Sequence, residues 1–230
     1  MARLLLVAAS AALLASTSAT AAVLVVRSSG PSAAAYPPGK ALPDTHMLKL
    51  KPSDLIVLLD SRGTRTLRGP GSFSVLASAT PAAPSGSTAG TSARRVRLGA
   101  VRGTQGTRSV WQADLGRSGN VCVANPSELT VYRGDASAAA DVTLTEAASG
   151  SKATVHFEAN QWDAAWPAAL PVKSGSKIAV SGLASPATLT LRLLSPVPSG
   201  LEGMAQSLIR ADCQAQLDVL VDTFSARSES

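Results

Sequence analysis

The sequence predicts a mostly-β protein: a small N-terminal β module plus a β-sandwich with a C-terminal amphipathic helix. Three observations carry that reading. The apolar run 54–60 turns at Ser61-Arg62-Gly63 and returns through 64–68, the spacing of a β-hairpin. From Trp111 onward, short alternating segments recur with turn signals between them, as in a sandwich or barrel. After Pro196-Val197-Pro198 the apolar spacing changes from two residues to three and four, the helical period.

Residues 1–21 read as a secretory signal peptide. Met1-Ala2-Arg3 supplies a positive start, 4–14 an apolar run, and Ala19-Thr20-Ala21 an A-x-A-like cleavage site. The expected address is periplasmic or secreted, with no transmembrane segment after cleavage. An uncleaved anchor is the alternative, because Val23-Leu24-Val25-Val26 prolongs the apolar character.

Beyond the leader the chain is basic, then acidic. Between Ala22 and Val110 twelve Lys or Arg face three acids, and from Trp111 onward eight bases face twelve acids. That division suggests two modules with different surfaces. A basic surface outside the cytoplasm suits an anionic envelope component, and solvated charge with no partner is the plain alternative. The basic stretch has no interleaved aromatics, so nucleic acid is not expected as a partner. With three Phe, three Trp and two Tyr, the core is expected to be filled by small branched side chains.

The N-terminal module is expected over 22–76. It opens with a β-branched run at 22–27 that ends at Ser28-Ser29-Gly30-Pro31, and Tyr36-Pro37-Pro38-Gly39 punctuates it again. Residues 54–60 are apolar on both faces and so belong in the middle of the module, whereas the return strand, with Arg65 and Thr66 beside Leu67, should face water on one side. Lys49, Lys51, Arg62, Arg65 and Arg68 form a candidate anion-binding set. Arg68 and Arg62 are expected to line up with Lys49 and Lys51 as one basic edge.

The run 36–73 (YPPGKALPDTHMLKLKPSDLIVLLDSRGTRTLRGPGSF) resembles the β-rich periplasmic modules of FecR-like sensor proteins. In those, a proline-glycine step introduces a strand, a second strand follows a G/S-D step, and a hairpin repeats the period. The resemblance implies a small all-β module that binds or docks, and it opens the reading of an accessory sensor of a membrane signalling protein. The whole chain also resembles exported bacterial proteins, a likeness that implies no chemistry.

Residues 77–93, rich in Ala, Pro, Ser, Gly and Thr, are expected to be a flexible linker, followed by the basic Arg94-Arg95-Val96-Arg97. The sandwich is expected over 94–196, with strands at 120–124, 128–133, 140–146, 152–158, 169–172, 177–181 and 188–194. Residues 197–230 should carry one helix packed on the sandwich, opened by the capping-box pattern Ser199-x-x-Glu202. Cys122 and Cys213 form an even pair in an oxidising compartment and are expected to be joined, clamping the helix to a strand.

Catalytic patterns are weak. His46 and His156 have unrelated contexts, and there is neither a G-x-S-x-G elbow nor a phosphate-binding glycine loop. Asp141, Glu146 and Glu158 are imaginable as paired carboxylates, and acids on strand faces are routine. Trp162 and Trp166 could stack on a sugar ring or plug the sandwich edge. No cofactor or metal is expected. The leading expectation is an exported, non-catalytic binding or docking protein, with a sensor subunit and a carbohydrate-active enzyme as alternatives.

Overall fold

Alternating apolar residues in the first strand face two different cores, and this organises the N-terminal half. The computed structural model describes residues 22–75 and 108–228; the expected leader, linker and Arg94–Arg97 cluster lie outside them. Six strands follow in order: β1 (Ala22–Ser29), β2 (Ala41–Pro43), β3 (Met47–Leu50), β4 (Leu55–Asp60), β5 (Gly63–Arg68) and β6 (Gly71–Ser74). They form a four-stranded sheet, β2-β1-β4-β5, and a β3-β6 ribbon. Val23, Val25, Ile56 and Leu58 pack under the ribbon with Tyr36, Leu42, Leu48 and Leu50. Leu24, Val26, Val57 and Leu59 face the other way. The apolar run at 23–26 is thus divided between two cores. A bulge between Val25 and Arg27 leaves Val26 unpaired and sets Arg27 opposite Val57, on the second face.

The hairpin forms where the turn residues placed it, with Asp60 opposite Gly63. β4 is central and β5 is an outer strand. Asp54 is buried and ties two loops: its carboxylate accepts the Ser32 and Lys51 N–H groups at 2.8 and 2.5 Å. Gly30 must approach it closely, since a Cβ there would lie 2.6 Å from Asp54 Oδ1.

The second half is a β-sandwich. β7 (Gln112–Asp114), β9 (Thr130–Tyr132) and β12 (Asp163–Ala165) make one sheet, in the order β12-β9-β7. β8 (Gly119–Val123), β10 (Ala140–Glu146), β11 (Lys152–Phe157), β13 (Lys177–Ser181) and β14 (Ala187–Leu193) make the other, in the order β11-β10-β13-β14-β8. Between them pack Val131, Val142, Leu144, Phe157, Ile178, Leu189 and Leu191. One strand assignment is corrected. Residues 169–172 are turn and coil, and the strand lies instead at β12. Three-residue strands such as β7 and β12 are too short to show alternation; pairing with β9 makes them.

The expected single C-terminal helix is two. α1 (Gly200–Arg210) and α2 (Gln214–Ser228) are separated at Asp212, whose φ of 53° is left-handed and tolerated by Asp. The capping box does not form: Ser199 makes no side-chain cap, and Glu202 accepts instead from Gln206. The apolar stripe holds nonetheless, with Ala205, Leu208, Leu217, Leu220 and Val221 buried against Leu24, Val26, Val57 and Leu59. The helices therefore cover the N-terminal sheet as well as reaching β8. Cys122 and Cys213 are bonded (S–S 2.01 Å) inside this layer. No helix among the described residues is long and apolar enough to cross a membrane.

Candidate functional site

The five candidate cations separate into a clipped pair and an open set. At the hairpin turn, Asp60 accepts from Arg62 (3.1 Å) and Arg65 (3.3 Å), and Arg65 also donates to the Val75 carbonyl. Burial would raise the Asp60 pKa, but the backbone and guanidinium donors of Arg62, with the charge of Arg65, hold it below the usual value. Arg65 is spent on this contact, its side chain being 14 % exposed. Arg62 lies at the opposite end of β5 from Arg68, so the expected single edge through Arg62 does not form.

Lys49, Lys51 and Arg68 lie at the other end. Lys49 points outward from the ribbon, between the buried Leu48 and Leu50. Arg68 sits opposite Leu55, and the backbone of Gly69 next to it closes on the Lys51 carbonyl. All three are exposed, and none has an ion-pair partner within 4.0 Å among the described residues. A further cation of the module looks inward: Arg27 meets Asp218 of α2 at 2.5 Å.

The acid and histidine candidates do not converge in a cleft. His156 lies on the exposed face of β11 between Asp141 (2.6 Å from Nδ1) and Glu158 (3.3 Å from Nε2). The hydrogen bond to Asp141, with the charges of Asp141 and Glu158, raises the imidazole pKa. The Ser149 side chain, and then its N–H in the hairpin turn, donate to Glu146 and hold its pKa below the ordinary value. Asp141 and Glu158 flank the imidazole, one at each ring nitrogen. Among the described residues no group of three metal-binding side chains exists.

Both tryptophans are engaged by the protein. Trp166 packs on the sandwich core and donates its indole N–H to the Leu170 carbonyl at 2.7 Å. Trp162 stacks on Tyr132 with ring centroids 6.3 Å apart, and Arg108 lies over the Tyr132 ring at 4.8 Å. Arg108, Asp114, Arg117, Asn120, Gln214 and Gln216 line a cleft of about 200 Å³ between β7, β8 and α2. Its guanidiniums are paired, Arg108 with Asp114 (2.5 Å) and Arg117 with Asp218 (3.0 Å).

Three polar residues, two of them buried, escaped the sequence reading. Arg133, 2 % exposed, donates to the carbonyls of Ala138, Glu158 and Gln161. Gln216 bonds both the N–H and the carbonyl of Cys122, as a neighbouring strand would. Asp218 holds Arg27 and Arg117 together. The signal for the last two was a polar residue on or beside an apolar helical stripe. Arg133 had none, because its partners are backbone atoms. No known family model matches the chain, and no curated protein or solved structure is significantly similar to it.

Proposed function

We propose that the protein is an exported, non-catalytic docking protein of the cell envelope that engages an anionic component through the open end of its N-terminal module. One observation carries this reading: Lys49, Lys51 and Arg68 stay exposed with no ion-pair partner within 4.0 Å among the described residues, while Arg27 meets Asp218 and Arg62 and Arg65 share Asp60. Lys49 and Arg68 leave opposite faces of the module, so the cations rim its end. That arrangement suits an extended polymer or a charged surface better than a small ligand. The attraction is screened over about 8–10 Å near physiological ionic strength, so docking should be salt-sensitive.

The FecR-like resemblance supports a narrower version, in which the anionic partner is a membrane signalling protein. The step the resemblance rests on has a local basis here: Ser53 is left-handed (φ 69°), and Asp54 then turns inward to cap two loops.

The test uses the full chain, because α1 and α2 cover one face of the module. Retention on anionic envelope fractions is compared at low and high salt for wild type, for Lys49→Gln/Lys51→Gln/Arg68→Gln, and for Arg62→Gln. The expected result is salt-sensitive retention that the triple variant loses and Arg62→Gln keeps. Equal retention of all three at both salts would reduce the rim to solvated charge.

A further inference from the structure

The five-stranded sheet closes one edge and leaves the other open. At β8 the Gln216 amide bonds the N–H and carbonyl of Cys122 and donates to the Val110 carbonyl, so α2 seals the edge. At the far edge lies β11, paired with β10 alone. The Glu146 N–H donates to the Ser151 carbonyl at 2.8 Å. Antiparallel alternation from that bond turns the backbone groups of Ala153, Val155 and Phe157 toward β10, and those of Lys152, Thr154 and His156 outward. None of the outward backbone groups has a hydrogen-bond partner among the described residues.

We propose that a second copy of this chain docks on β11, antiparallel and two-fold symmetric about Val155. In that register Thr154 faces the second copy's His156, and each such pair exchanges two backbone hydrogen bonds. Lys152 faces the second copy's Glu158, twice, on the exposed side of the sheet. The register is selected by charge. Centring on Thr154 instead would set Lys152 against His156, an imidazole already biased toward its cationic form by Asp141 and Glu158. Centring on Val155 is the neighbouring choice that matches opposite charges and keeps outward groups facing outward groups. The other six-residue outer strand, β5, carries Arg65 and Arg68 and no acid, so no register of two copies paired there matches opposite charges within the strand. Pairing at β11 joins two sandwiches into one continuous ten-stranded sheet and uses none of Lys49, Lys51 and Arg68. Dimerisation and anion docking can therefore fail independently.

The test is sedimentation equilibrium of the full chain over a wide concentration range. Wild type should dimerise. Lys152→Glu should raise the dissociation constant about tenfold, since two symmetric pairs change from attraction to repulsion. Lys152→Glu/Glu158→Lys should restore it to near wild type. Thr154→Pro removes an N–H that faces away from β10, so it should abolish the dimer at an unchanged melting temperature. Wild type that stays monomeric up to roughly millimolar concentration, where association is too weak to be specific, overturns the proposal. So does a dimer that neither Lys152→Glu nor Thr154→Pro disturbs, or one that the charge-reversed pair fails to restore.

Discussion

Arg133 is a buried cation with no ion-pair partner within 4.0 Å among the described residues. Arg133 is covered on one side by the Phe157 ring, 4.9 Å from its guanidinium, and its donors are divided among three carbonyls. The planar fork can reach all three; a single ammonium cannot. Arg133→Met should cost about 3 kcal/mol or more in urea denaturation, because three carbonyls lose the donor that ties them together, and Arg133→Lys should recover little of it. His156 gives a prediction of opposite character, at the surface. Its raised pKa means that any stability from the Asp141 contact is complete below the ordinary value of 6.5 and is lost as pH rises through the folded value. An NMR titration should place the imidazole above 6.5, and Asp141→Asn should bring it back toward that figure. A titration unmoved by Asp141→Asn would remove the assigned cause.

At the scale of elements, the disulfide and the helix pair act together. The bond closes 91 residues between β8 and the start of α2. In the chain-entropy model such a loop contributes about 4–5 kcal/mol, as an upper figure. Cys122→Ala/Cys213→Ala should therefore lower the denaturation free energy by several kcal/mol, and mass spectrometry of oxidised protein should find no alkylatable thiol. Leu208 and Leu217 lie at 0 % and 2 % exposure on successive helices. Leu208→Asp or Leu217→Asp should each destabilise by several kcal/mol, read as a shift in the thermal midpoint. The hydrophobic stripe was legible because burial repeats every three to four residues across both helices. The break at Asp212 was not, since an aspartate on a polar face looks the same whether its φ is helical or left-handed.

At the scale of the molecule, the helical layer makes one body of two β modules. Leu24, Val26, Val57 and Leu59 of the first share a core with Cys122 of the second and with both helices. Removing residues 200–230 should expose that face, so the truncated chain should lose its cooperative thermal transition in calorimetry. Two independent transitions in the full chain would contradict the shared core. Asp218 ties the modules electrostatically, meeting Arg27 of β1 and Arg117 of the β7–β8 loop. Burial would raise its pKa, but the hydrogen bonds from Arg27, Arg117 and Gln214 outweigh that and lower it. Its contribution is complete above the ordinary carboxylate value of 3.8 and disappears as pH falls through the lower, folded value. Asp218→Asn should therefore lower stability at neutral pH and flatten the acid limb of the stability profile, measured by urea denaturation from pH 7 to about pH 3.

What the sequence by itself determined is whatever depends on near neighbours along the chain. The β4–β5 hairpin follows from apolar runs flanking Ser61-Arg62-Gly63, the long sandwich strands from two-residue alternation, and the helical layer from its three- and four-residue steps. The disulfide was legible too, because two cysteines allow only one pairing. Tertiary structure alone decided the rest. It formed β7 and β12, which owe their existence to β9, and it placed α2 between two modules instead of on one surface. It also sorted the cations. Asp60 draws Arg62 and Arg65 to one end of the hairpin while Lys49, Lys51 and Arg68 stay open at the other. Charge along a chain counts cations; which of them remain free depends on where the acids come to rest, and that is a matter of distance in the folded state.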